Sequence, residues 1–177
     1  MKTFFCGLVA LGIFGISIQA MAAPDKVLIT AQKKRAEPAK GLVSAGGPEA
    51  KGAEKMLYDL KLQNQTLADL SKLTIDYVIF VERQKLGTKL GQEDHVDRIT
   101  GSKTIDVLTN KESQIVSTEE IQLGKQSLTG GYTYVNGGRL KAEDAVVGVW
   151  VRVSQNGEVV GEYTNPPTVT KRGWEKK

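Results

Sequence analysis

Apolar and polar side chains alternate along the middle of the chain with the period of a β-strand. The stretch from Leu73 to Arg83 carries apolar residues at its odd positions, which are Leu73, Ile75, Tyr77, Ile79 and Val81. Successive side chains of a strand point to opposite faces, so these positions are predicted to face a core. Val78 and Phe80 make the opposite face partly apolar, and we expect another part of the chain, or a partner, to cover it.

A second alternating stretch predicts a hairpin near the C-terminus. It runs from Ala145 to Ser154, with valines at the odd positions and with Trp150 and Arg152 on the outer face. Asn156-Gly157 then predicts a turn into a last strand from Val159 to Tyr163.

The side chains also predict the length of this turn. A two-residue loop would place Glu162 opposite Val151 on the apolar face, which is costly for an unpaired carboxylate. A three-residue loop of residues 155–157, ending in a left-handed glycine bulge, places Glu162 beside Arg152 on the outer face and sets Gly161 opposite Val151.

Further strands are predicted over residues 27–31, 55–63, 104–108 and 115–123. Residues 56–70 also fit one face of a helix, because Met56, Leu60 and Leu67 recur at helical spacings. The strand is preferred, since its alternation ends at the turn-forming cluster Asn64-Gln65-Thr66.

The remaining segments predict connections. Residues 36–53 are rich in Ala, Gly, Pro and Lys and predict a long flexible connection, and residues 85–100 predict a charged loop. Seven or so strands without a strong helix therefore favour an antiparallel β-sandwich over a parallel α/β fold.

The first residues have the layout of a cleaved secretory signal peptide, predicted over residues 1–23. Lys2 supplies the positive charge, an apolar run follows, and Ala20-Met21-Ala22 is a small-x-small cleavage site. The apolar run of about 15 residues is shorter than the ~20 that a membrane-spanning helix needs. We therefore expect an exported protein, secreted, periplasmic or at the cell surface, that does not span a membrane.

Processing would remove Cys6, the single cysteine, so the mature protein is expected to fold without a disulfide. Without Lys2, the 23 remaining basic residues exceed the 20 acidic residues by only three. This balance gives no reason to expect nucleic-acid binding. The segment of residues 169–177, which is rich in Lys and Arg, is predicted to form a C-terminal tail after a single domain of residues 24–168.

Catalytic and metal-binding patterns are not found in the sequence. Nucleophilic catalysis requires an activated hydroxyl or thiol beside a base, and the mature chain offers one histidine, His95. The cluster Glu93-Asp94-His95-Val96-Asp97 matches no EF-hand loop or zinc signature and is interpreted as an exposed polar loop. The chain is therefore predicted to be no enzyme and to need no cofactor or metal.

The candidate binding residues are the outer-face residues Val78, Phe80, Trp150 and Arg152 and the glycine-bracketed tyrosines Tyr132 and Tyr134. If the aromatic rings are exposed, they could stack on sugars, which predicts a carbohydrate-binding module. Alternatively, Trp150 packs beneath a loop or the N-terminal segment, with Arg152 stacked on it and paired to Glu162. The sequence favours the second arrangement without deciding whether Trp150 is exposed or covered.

The chain resembles small secreted immunoglobulin-like domains of bacteria in residues 58–66, residues 73–77 and the stretch Gly148–Val153 followed by Asn156-Gly157. It lacks the cysteine pair of antibody domains. Some such bacterial proteins belong to cell-surface or type IV pilus-associated systems. The resemblance implies adhesion or surface assembly. We therefore predict a non-enzymatic exported protein that contacts a protein partner or a second copy of itself, with glycan binding as the alternative.

Overall fold

The computed structural model describes residues 25–36, 43–44, 49–84, 96–128 and 141–174. These residues form β1 (Val27–Arg35), β2 (Val43–Ser44), β3 (Glu49–Asn64), β4 (Leu70–Glu82), β5 (Val96–Leu108), β6 (Ser113–Ser117), β7 (Ile121–Leu128), β8 (Lys141–Glu143), β9 (Ala145–Gln155), β10 (Glu158–Asn165) and a 3₁₀ helix (Pro167–Arg172).

The strands form two antiparallel sheets. One has four strands in the order β10-β9-β4-β5, and the other has the order β1-β3-β7-β8 with β2 and β6 also paired to β3. The predicted all-β antiparallel sandwich is confirmed. The order β10-β9-β4-β5 corresponds to the G-F-C-C′ sheet of immunoglobulin-like domains, and β1-β3 followed by β7 corresponds to A-B-E.

A single apolar core lies between the sheets and draws side chains from both. The odd positions of β4 from Leu73 to Val81 are all buried there, as the alternation predicts. Met56, Leu60 and Leu62 of β3 reach the same core from the opposite sheet. Residues 56–64 are therefore a strand rather than a helix, and the predicted turn follows at Asn64.

Hydrogen bonds join the two sheets at their margins. The hydroxyl of Tyr77 accepts a hydrogen bond of 3.0 Å from the backbone N–H of Glu119, in the connection between β6 and β7. Burial raises the pKa of this hydroxyl above its ordinary value. Gly101 opposite Tyr77 is required here, because a Cβ atom at that position would lie 2.2 Å from the tyrosine oxygen.

A charged pair makes a second link between the sheets. Arg83 Nη1 lies 2.8 Å from Asp144 Oδ2 and also donates to the carbonyl of Gln122 at 2.7 Å. The same Asp144 oxygen accepts the backbone N–H of Gly124 at 2.8 Å. The end of β4 is thereby fixed to the β7–β8 region.

The strands extend further than the sequence predicted. Residues 36–53 were expected to form a flexible connection, and this prediction is wrong at residues 43–44 and 49–53. Residues 43–44 form β2, which pairs with β3, and residues 49–53 begin β3 and pair with β7 through their backbone groups. A prediction from apolar alternation misses strands that lack alternating apolar side chains, even where their backbone groups pair in a ladder. The expected loop 85–100 is likewise wrong from Val96 onward, where β5 begins, and residues 85–95 lie outside the described part of the chain.

The C-terminal hairpin has a different register from the predicted one. Its loop is the two-residue turn Asn156-Gly157, with φ of 52° and 85°, the left-handed values that a tight hairpin turn requires. A β-bulge between Val159 and Gly161 then restores the pairing of Glu162 with Arg152, while Gly161 pairs with Val153 instead of Val151. The outward position of Glu162 is confirmed, but the loop length was wrong because the extra residue lies inside the strand.

A second bulge lies in the pairing of β4 with β9. The register shifts between Phe80 and Val81, so Val146 packs on the inner core and Val147 packs on the outer side of the sheet. Simple alternation had assigned Val147 to the core face.

Candidate functional site

The four predicted outer-face residues come together on one side of the four-stranded sheet. We call Val78, Phe80, Trp150 and Arg152 the outer face. Val78 pairs with Trp150 across β4 and β9, and Phe80 pairs with Gly148. Val78 and Phe80 are fully buried, and Trp150 is only 6% exposed. These three residues are therefore not a free surface.

The chain covers this face with its own C-terminal segment, residues 167–174. Val169 is buried in the same cluster as Val78, Phe80 and Trp150. Trp174 meets Trp150 edge to face, with ring centroids 5.1 Å apart. The expected separate tail is thus wrong up to Trp174, because these residues contribute apolar surface to the fold; residues 175–177 lie outside the described part.

Gly148 makes room for this segment. A Cβ atom at position 148 would lie 2.6 Å from Cγ2 of Val169 and 3.4 Å from the carbonyl oxygen of Asn165. Two carbon atoms cannot approach to 2.6 Å unless one of them is displaced. Val169 therefore fits against β9 because Gly148 has no Cβ atom.

Arg98 of β5 holds the end of the segment. Its guanidinium donates hydrogen bonds to the carbonyl of Arg172 and, at 3.3 Å, to the carbonyl of Gly173. It also lies 5.5 Å from the centre of the Phe80 ring. One side chain thus binds the backbone of the segment and covers part of the apolar face.

Arg152, Glu162 and the two tryptophans form a polar border. Glu162 Oε1 accepts hydrogen bonds from Trp150 Nε1 at 2.7 Å and from Arg152 Nε at 2.8 Å. The Arg152 guanidinium lies 4.7 Å from the Trp150 ring and 4.5 Å from the Trp174 ring. Burial acts to raise the pKa of Glu162, but the hydrogen bonds from Arg152 and Trp150 outweigh burial, so its pKa lies below the usual value.

These contacts show which of the two predicted arrangements of Trp150 is present. Trp150 is covered, and Arg152 stacks on it and pairs with Glu162, as the second arrangement predicts. The segment that covers Trp150 is the C-terminal one, however, and not a loop or the N-terminal segment. Trp150 therefore cannot serve as a sugar platform. Tyr132 and Tyr134 lie outside the described residues, as do the predicted signal peptide and His95.

Sequence reasoning missed Arg98, Gly148, Val169 and Trp174. One signal was present in the sequence: a glycine within a run of valines, followed after Pro166-Pro167 by an apolar Val169 and a tryptophan. A strand glycine often marks a close approach of another part of the chain. The partner of Gly148 lies 21 positions away, and no periodicity connects the two.

In the described part of the chain, three open depressions lie along β5. A groove of about 640 Å³ opens beside Trp174, lined among others by Asp76, Val78, Arg98, Thr100 and Ser102. Two hollows of about 220 and 240 Å³ lie further along the strand, next to Val96 and Arg98. The outer edge of β5 has no paired strand among the described residues.

Two kinds of feature are absent from the described residues. They contain no group of three or more side chains suited to hold a metal ion. No helix among them has the length and apolar character to cross a membrane.

Comparison with known proteins gives only distant similarity. No protein-family model matches the chain, and no curated protein matches it in sequence. A solved protein from Akkermansia muciniphila is 14% identical; the match covers 89% of this chain and 82% of that one, with a TM-score of 0.36. A structural-genomics target is 7% identical, covering 78% of this chain and 85% of that one, with a TM-score of 0.36.

Proposed function

We propose that this chain is an exported, non-enzymatic surface protein that contacts other proteins by accepting an extended strand at the free edge of β5. The observation that carries the proposal is the edge itself. β5 has 13 residues, and among the described residues it pairs with β4 alone. An edge strand presents unpaired N–H and C=O groups, which form a template for a strand of another chain.

The opposite edge of the same sheet supports this choice by contrast. The backbone N–H of Lys26 donates a hydrogen bond of 2.8 Å to the carbonyl of Val160 in β10. A Cβ atom on Gly161 would lie 2.5 Å from the carbonyl oxygen of Val27, so the start of β1 lies directly against β10. The described residues thus cover one edge of the sheet and place no paired strand along the other.

The surface next to β5 suits recognition of side chains as well as backbone. In strand addition, backbone hydrogen bonds provide affinity, and hollows beside the edge receive alternate side chains of the partner. The groove and the two smaller hollows are all lined by residues of β5. Val107 adds an exposed apolar side chain on the same strand, 51% exposed.

Export and the absence of catalysis are parts of the same proposal and rest on the sequence. Export is supported by the signal-peptide pattern of residues 1–23, and a non-enzymatic role by the lack of a nucleophile–base pattern. The partner is a surface protein or a second copy of this chain.

A pair of matched variants tests the edge. We expect Val107→Lys on β5 to weaken binding about tenfold or more, roughly 1.4 kcal/mol, because lysine on an edge strand opposes strand addition. Val159→Lys is the control: Val159 is 50% exposed on β10, at the edge that β1 already covers.

Binding is measured in two ways, by sedimentation velocity of the mature protein for self-association and by capture from envelope extract for a partner. The proposal predicts that the wild type and Val159→Lys give the same complex and that Val107→Lys loses it. A monomer that captures nothing, or equal loss in both variants, contradicts the proposal.

A further inference from the structure

The groove beside Trp174 combines charged, polar and apolar side chains on the floor and wall of one depression. Asp76 pairs with Ser102, and Val78 with Thr100, across β4 and β5. These residues form a floor with a carboxylate, two hydroxyls and an apolar patch, and Trp174 stands at its side. The volume of about 640 Å³ falls in the range of ligand sites, roughly 300–1,000 Å³.

Asp76 is the unexplained group on this floor. Its carboxylate makes no hydrogen bond or ion pair with the described residues, although it is half-buried. Its cross-strand neighbour Arg152 directs Nε to Glu162 instead, at 2.8 Å. A carboxylate that is partly withdrawn from water and unpaired retains its full capacity to accept hydrogen bonds from a ligand.

Trp174 is held in place before any ligand arrives. Its ring is fixed by the edge-to-face contact with Trp150 and by the Arg152 guanidinium. Arg98 fixes the backbone on its N-terminal side through the carbonyl of Gly173. Trp174 nevertheless remains partly exposed and lines the groove. A pre-positioned aromatic ring binds a ligand at low cost in conformational entropy.

We propose that this groove binds a neutral glycan. A sugar ring offers an apolar face of C–H groups for the indole of Trp174 and hydroxyl groups for Asp76, Ser102 and Thr100. A cationic side chain is a poorer fit, because Arg98 and Arg152 lie next to the site and oppose a positive ligand. An acidic sugar is disfavoured by the unpaired Asp76 carboxylate.

This site differs from the one predicted from the sequence, since it uses Trp174 in place of the covered Trp150. It also differs from the β5 edge: the glycan would lie on the face of the sheet, and a partner strand would lie beside it. The two proposals therefore succeed or fail separately, because protein capture reports on the edge and glycan binding reports on the groove.

The test uses the mature protein on an array of neutral and acidic glycans, followed by calorimetric titration with the strongest neutral binder. We expect Asp76→Asn to weaken binding about tenfold or more, which corresponds to roughly 1.4 kcal/mol. Asp106→Asn, which alters an exposed carboxylate on the neighbouring strand β5, serves as the matched control and should bind as the wild type does.

A second variant protects the test against loss of the fold. Trp174→Phe keeps an aromatic ring against Trp150 and should weaken binding less than Trp174→Ala, provided that circular dichroism shows both variants folded. The proposal is overturned if no neutral glycan binds, if only acidic glycans bind, or if Asp76→Asn and Asp106→Asn bind equally well.

Discussion

Glu162 connects the outer face to the edge of the sheet through a single carboxylate oxygen. That oxygen accepts hydrogen bonds from both Trp150 and Arg152, and Arg152 in turn contacts both tryptophan rings. Removal of the Glu162 carboxylate would leave the indole N–H of Trp150, which is nearly buried, without its hydrogen-bond acceptor. The carboxylate therefore contributes to holding Trp150 and Arg152 in their observed orientations.

The lowered pKa of Glu162 predicts a pH-dependent contribution to stability. A carboxyl whose pKa is lower in the folded state stabilises the fold above its unfolded pKa, near 4.5, and loses this contribution as the pH falls through the folded pKa. We expect Glu162→Gln to lower the free energy of unfolding more at about pH 7 than at about pH 3, as measured by urea unfolding.

Glu158→Gln is the control for this experiment, because Glu158 is an exposed carboxylate on the same strand, 3.8 Å from Lys26 Nζ. An exposed ion pair contributes little, so its removal should change stability only slightly at either pH. Equal destabilisation by Glu162→Gln at both pH values would contradict the assigned role of the charge.

At the level of elements, the C-terminal segment and β9 have complementary shapes. Gly148→Ala would place a methyl group 2.6 Å from Val169 Cγ2. Overpacking of this kind costs typically about 1–3 kcal/mol, and we expect a loss of that size in urea unfolding. Adding Val169→Ala should recover part of the loss, because it removes the opposing methyl groups.

The double-mutant cycle makes this prediction specific to the contact. Val169→Ala alone should destabilise the protein, since Val169 is buried against Val78, Phe80 and Trp150. If the two substitutions together cost as much as the sum of their separate effects, Gly148 and Val169 do not interact as described.

The sequence predicted the strands whose side chains alternate and missed those that are held in other ways. β4 alternates regularly and was predicted on the correct face, because one side of it packs in a dry core. Residues 49–53 were missed, since they contain no large apolar side chain that could alternate, and their backbone pairs with a strand more than 70 positions away. The two bulges were missed because a single inserted residue leaves no mark in the composition of a valine-rich strand.

The candidate site was predicted only in part, for a similar reason. The pattern of β4 and β9 indicated that Val78, Phe80 and Trp150 share a face and that something must cover it. The cover could not be identified, because the residues that bind the C-terminal segment are single side chains on separate strands. Arg98 acts through hydrogen bonds to carbonyls, which any arginine near any strand end could make.

For the whole molecule, the two sheets enclose one core, and the outer side of the four-stranded sheet carries a second, smaller cluster beneath the C-terminal segment. The apolar side chains on the outer side of the four-stranded sheet are thus buried by another part of the same chain. In the described part of the molecule, the edge of β5 and the groove beside it are the places where we propose that another molecule binds.

The proposed export concerns the whole chain and has its own test. We expect the protein recovered from outside the cytoplasm to begin at Ala23 or Pro24, because a signal peptidase cleaves after a small-x-small sequence. N-terminal sequencing or intact mass of the fractionated protein measures this directly. A chain that retains Met1 and stays in the cytoplasm would contradict export.

The central claim is that the chain covers its own outer face with residues 167–174, which leaves β5 and its groove for recognition. Fluorescence quenching by acrylamide tests this claim most directly in Trp174→Phe, where Trp150 is the single tryptophan. The covered face predicts blue-shifted emission and quenching far weaker than in the urea-unfolded protein. Red-shifted emission with quenching close to that of the unfolded chain would contradict the claim.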